Sequence, residues 1–83
     1  MDALLLMAGS ITHAQRMAAM LENRGIRATI VRAPAGVDPR GCGYGVKLFR
    51  ADGAQALELL RHVGIKVRGV YERDGEAWRE VEL

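Results

Sequence analysis

A six-residue pattern, Leu-x-x-x-Gly-Ile, occurs twice in this chain, and each copy closes a helical pattern: Leu21-Glu22-Asn23-Arg24-Gly25-Ile26 aligns with Leu60-Arg61-His62-Val63-Gly64-Ile65. Ahead of each copy stands a pair with capping-box spacing, Thr12 with Gln15 and Asp52 with Gln55. Between cap and glycine, Ala14, Met17, Ala18 and Leu21 repeat on one helical face, and Ala56, Leu57, Leu60 and Val63 repeat on another. Gly25 and Gly64 supply the left-handed residue that ends each helix. Strand-like runs bracket both: the continuous apolar Ala3 to Ala8, the alternating Ile26 to Arg32, then Tyr44 to Phe49 and Ile65 to Glu72. The chain therefore reads as two β-α-β units. Right-handed crossovers then favour an α+β, ferredoxin-like β-α-β-β-α-β sandwich, with antiparallel sheet order 4-1-3-2 and both helices on one face. Asp74-Gly75 is a hairpin signal that adds a C-terminal strand ending near Leu83 and sets Trp78 across from Tyr71.

The 83 residues can hide one core only, so residues 1–83 are read as a single domain. Twelve Lys and Arg against ten Asp and Glu leave a charge of +2, too little to imply a polyanion surface, and nucleic acid is not an expected partner. The apolar run Ala3 to Ala8 is far shorter than a membrane span, and Asp2 stands where a signal peptide wants positive charge; the reading is a cytoplasmic protein with no membrane association. A single cysteine, Cys42, excludes an internal disulfide, a CxxC pair and a thiolate-rich metal cluster built by one chain.

Cys42 lies in the one long loop, Ala33 to Gly43, which holds both prolines and three glycines. In the expected topology, the exit of the first strand, the start of the first helix and this loop share one end of the sheet. Cys42 is therefore expected near Ser10, Thr12 and His13. A helix N-terminus and a neighbouring cation favour thiolate over thiol, and Arg40 is two residues away with Lys47 further on. Gly41 and Gly43 flank the sulfur and allow another molecule to approach, against the bland reading of a lone cysteine as an inert core residue. Those glycines could also form an anion-holding nest. His13, in the first helical turn, is kept neutral by the dipole and is a candidate proton relay; the alternative is an idle surface histidine. Ser10 and Thr12 satisfy free helix N–H groups first and bind ligand second. His62 reads as a charge partner of its helix C-terminus, and His13, Cys42 and His62 lack metal-site spacing, so no metal is expected. Met7, Met17 and Met20 are core.

Ser10-Ile11-Thr12-His13-Ala14, the helix ending Leu21 to Ile26, the loop Pro34 to Gly43 with Gly41-Cys42-Gly43, and the strand Val46-Lys47-Leu48-Phe49 together resemble a selenium/sulfur carrier protein-like family over nearly the whole chain. The chain departs from that pattern in three places: Ile11 separates Ser10 from Thr12, Ala35 follows the proline, and Asp38-Pro39-Arg40 precedes the cysteine. The resemblance implies a small carrier that holds sulfur or selenium on Cys42 as a persulfide or perselenide. It would pass that atom from a cysteine desulfurase-like donor to a sulfur- or selenium-accepting protein, with no other cofactor. Such a carrier thiol must be reachable by two partners in turn, which a glycine-flanked loop permits.

Two other classes compete. An RNA-recognition module shares the β-α-β-β-α-β order, but Cys42 and Lys47 stand where stacking aromatics belong and Leu4-Leu5-Leu6-Met7 carries none. A non-catalytic ligand-sensing or assembly module of ferredoxin-like fold is the stronger rival, homodimerising through a sheet edge or the Trp78 hairpin.

Overall fold

The computed structural model describes residues 3–34, 37 and 43–82. In chain order these form β1 (Ala3–Ala8), α1 (Ile11–Asn23), β2 (Thr29–Arg32), β3 (Tyr44–Phe49), a 3-10 turn (Arg50–Asp52), α2 (Gly53–His62), β4 (Gly69–Asp74) and β5 (Ala77–Glu80). The strands make one antiparallel sheet in the order β2-β3-β1-β4-β5, so the architecture is α+β. The sheet is not the bare four-stranded 4-1-3-2 order of a ferredoxin-like sandwich. The C-terminal hairpin adds β5 outside β4, leaving β2 and β5 as the edges.

β1 is apolar throughout because both of its faces are covered: Leu4, Leu5, Leu6, Met7 and Ala8 are all buried. Leu4, Leu6 and Ala8 join Ala14, Met17 and Leu21 of α1, Val46 and Leu48 of β3, and Ala56 and Leu60 of α2 in the main core. Leu5 and Met7 point the other way, into a smaller cluster with Val37, flanked by Val31, Ala33, Tyr71 and Trp78. Val37, from the long loop, is 3% exposed and closes this second face over the middle of the sheet.

The repeated six-residue pattern is a helix stop. At the end of α1, Ile26 N–H donates to Leu21 O and Gly25 N–H to Glu22 O, with Gly25 at φ 80. At the end of α2, Ile65 N–H donates to Leu60 O and Gly64 N–H to Arg61 O, with Gly64 at φ 79. This is the Schellman pattern, and in each copy the residue after the glycine packs in the same core as the leucine it bonds. It corrects two strand boundaries. Ile26 to Ala28 lies outside β2 because Ile26 N–H is committed to the helix end and Ala28 N–H donates to Glu22 Oε2. Ile65 lies outside β4 for the same reason, and β4 begins only at Gly69.

Both expected caps are also corrected. α1 starts at Ile11, and its cap is Ser10, in extended conformation, whose Oγ accepts from His13 N–H at 3.1 Å; Thr12 is inside the helix and exposed. Asp52 is already in helical conformation at the end of the 3-10 turn, so its side chain makes no capping bond. Val63, expected to face inward, ends α2 with 37% of its surface exposed. Ser10→Ala should lower stability by about 1 kcal/mol, read as an earlier urea midpoint with unchanged slope, because one helix N–H loses its acceptor.

The hairpin turn lies one residue later than expected, so the register shifts by two and Trp78 faces Arg73 instead of Tyr71. Gly75, at φ 65, takes the first central turn position, so Asp74 pairs with Ala77, Arg73 with Trp78, and Tyr71 with Glu80. Glu72 ties this hairpin to the 3-10 turn, accepting from Arg50 Nε at 2.8 Å and from the Arg79 guanidinium. The hydrogen bonds from Arg79 and then Arg50 hold its carboxyl below the usual carboxylate range. No helix among the described residues is long and apolar enough to cross a membrane.

Candidate functional site

One end of the sheet gathers β1's exit, α1's start and Gly43, where the long loop rejoins the sheet. Ala8 pairs with Tyr44 at the head of β3, so Gly43 lies one residue beyond the β1–β3 ladder. Gly43 is buried, and its carbonyl accepts from Ala33 N–H at 3.0 Å, which pins the two ends of the loop together. Cys42 is the residue bonded to Gly43. Cys42, Arg40 and Gly41 lie outside the described residues.

The helix start is assembled from sequence-local parts. Ser10 Oγ is occupied by capping, so Ser10 acts by fixing the helix end. Thr12 is exposed on the same turn. His13 is half-buried, and its ring Nε2 meets Lys66 O at 3.2 Å. A carbonyl only accepts, so Nε2 must carry the proton, and a neutral ring then offers Nδ1 as the acceptor. The same contact ties α1 to the segment before β4, where Arg68 N–H donates to Met7 O at 2.8 Å.

Two cations reach this end that sequence reasoning missed. Arg32 pairs with Tyr44 across β2 and β3, its guanidinium carbon 5.9 Å from the ring centroid. The aliphatic stem of Arg68 lies beside Gly9, 3.6 Å from where a Cβ would stand there. Lys47, by contrast, is four residues along β3 from Gly43, about 13 Å at strand rise, and lines a groove elsewhere. It is not part of this site. His62 is exposed in the last turn of α2. Among the described residues no three of His, Cys, Asp or Glu are grouped to hold a metal.

The structure thus brings Ser10, Thr12, His13 and Gly43 to one end and adds Arg32 and Arg68. A helix N-terminus and the Arg32 guanidinium favour an anion there. A family model described as "Putative Se/S carrier protein-like" matches residues 3–72, from the first residue of β1 into β4. No curated protein and no solved structure matches the chain.

Proposed function

The chain belongs to the Se/S carrier protein-like family, and on that footing we propose that it is a small cytoplasmic carrier whose Cys42 holds sulfur or selenium as a persulfide or perselenide. The observation that best supports this is the position of Gly43, pinned beside β1's exit and the N-terminus of α1. A thiolate on the adjoining residue would gain from the helix dipole and from the Arg32 guanidinium.

The chemistry needs nothing further. The Cys42 thiolate attacks the outer sulfur of a persulfide on a cysteine desulfurase-like donor; a new S–S bond forms as the donor's own thiolate leaves. A nucleophile of the accepting protein then attacks that outer sulfur, and Cys42 departs as thiolate. One bond to the carried sulfur forms for each that breaks, so no outside oxidant, reductant or second cysteine is required. The selenium case runs through the corresponding S–Se bonds.

In this reading Gly41 and Gly43 keep side chains away from the sulfur, Arg40 joins Arg32 in stabilising its anion, and His13 Nδ1 takes the proton of the loaded group. Ser10 and Thr12 serve through the helix start. Alkylation of the reduced protein by iodoacetamide, followed against pH, tests the thiolate. The rate should reach half its plateau below about pH 8.5, the value for a free cysteine. A midpoint at or above that value, with an ordinary rate, would remove the basis for a carrier sulfur.

A further inference from the structure

The face of the sheet that carries no helix is divided. Val37 covers its middle, over Leu5 and Met7, but the other end is left open as a groove of about 450 Å³. Strand alternation and register lay out this end. Ala3 opens the central strand β1 and pairs with Phe49 of β3; Leu4 pairs with Glu72, which brings Arg73 beside Ala3 on the other flank. Lys47 sits one step up, paired with Thr29, and Arg27 precedes that edge strand. Ala3, Phe49, Arg73, Lys47, Thr29 and Arg27 all line the groove. The depression exists because Ala3 is small and its neighbours are long.

The lining is one-signed. Arg27, Lys47 and Arg73 contribute three cations, and no carboxylate lines the groove among the described residues. Lys47 and Arg27 form no ion pair among the described residues. Arg73 is held by its Nε donating to Gly75 O at 3.3 Å and by the Trp78 ring, 5.5 Å from its guanidinium carbon. Glu80, the acid on this face of β5, approaches Gly69 instead, 3.6 Å from where a Cβ would stand there. Phe49, 41% exposed, is the one aromatic among the lining residues.

We propose that this groove binds a phosphorylated small molecule with a flat aromatic body, of which a nucleoside monophosphate is the simplest form. Its ring stacks on Phe49 above Ala3, and its phosphate is held by Lys47, Arg27 and Arg73. Guanidinium and ammonium donors suit a dianion, and guanidinium groups match phosphate oxygens in a fork. A cavity of this size is in the range of small-molecule sites, and a single exposed aromatic gives a platform for one ring and not for a run of bases. The groove lies at the opposite end of β1 and β3 from Gly43, so the proposal stands apart from the carrier reading.

The test is titration of the full chain with AMP, UMP, adenosine, inorganic phosphate and a single-stranded oligothymidylate, by calorimetry and by the fluorescence of Trp78, the only tryptophan. AMP or UMP should saturate at one per chain and bind more tightly than adenosine or phosphate alone. Lys47→Glu should weaken that binding by at least about tenfold, as loss of one charge-assisted contact does. Ala3→Leu, which fills the floor, should weaken it similarly, while Cys42→Ser leaves it unchanged. Circular dichroism checks that each variant is folded, and Lys47→Glu decides if Ala3→Leu is not. Absence of saturation by mononucleotides at millimolar concentration overturns the proposal. So does undiminished binding by folded Lys47→Glu, or binding of the oligothymidylate alone, which would mark a nucleic-acid face.

Discussion

Gly45→Ala lowers the stability of this chain by about 1–3 kcal/mol, even though alanine is the better residue for an ordered backbone. Gly45 sits inside β3, paired with Met7 on one side and Val31 on the other. A Cβ built there meets Leu6 O at 2.8 Å, Met7 Sδ at 2.8 Å and Leu5 Cδ1 at 3.3 Å. The sulfur can swing aside, but the carbonyl belongs to the central strand and cannot move without opening the β1–β3 ladder. Reduced chain entropy in the unfolded state returns only about 0.4–1 kcal/mol, so the clash wins. Gly45→Val is expected to be worse, although valine is favoured in strands, because it adds volume at the same point. Gly9→Ala is the control: its nearest new contact is ordinary, at 3.6 Å from Arg68 Cδ, and its urea midpoint should hardly move. Equal midpoints for Gly45→Ala and the parent would show that the strands can separate at no cost.

Which parts of this architecture can be read in the sequence follows from where the physics is local. The helix stops at Gly25 and Gly64 are legible because only glycine sits easily at φ near 80°. β1 is legible because a strand buried on both faces must be apolar along its length. The beginnings of β2 and β4 are not, since Ile26 and Ile65 look like strand residues while their N–H groups close the preceding helix. The hairpin register turns on which of two residues leads the turn, and Gly75 rather than Asp74 takes that place. Of the candidate site, Ser10 and His13 are visible as a helix start. Arg32 and Arg68 are not, because what brings them there is pairing across the sheet, Arg32 to Tyr44 and Arg68 to Met7. Lys47 shows the same limit in reverse: near Cys42 in sequence, it is carried away from Gly43 by the extension of β3.

Cys42→Ser should abolish loading altogether, the largest functional effect expected of any single change. A hydroxyl is a poor nucleophile at neutral pH and an oxygen–sulfur bond is no store for transferable sulfur, so neither step has a substitute elsewhere in the chain. Cys42 is the only cysteine, and no second thiol can take over. The variant should keep the parent's urea midpoint if the residue serves chemistry. His13→Gln should load more slowly without losing the product, because the proton acceptor at Nδ1 is gone while the sulfur remains.

The most direct test is the intact mass of the reduced protein after exposure to a cysteine desulfurase turning over cysteine and, separately, selenocysteine, with Cys42→Ser alongside. The carrier account predicts that the native chain alone gains one sulfur or selenium atom, that a thiol reductant removes it, and that the better-loaded element identifies the cargo. No gain with either substrate and several donors, or an equal gain by Cys42→Ser, would contradict it.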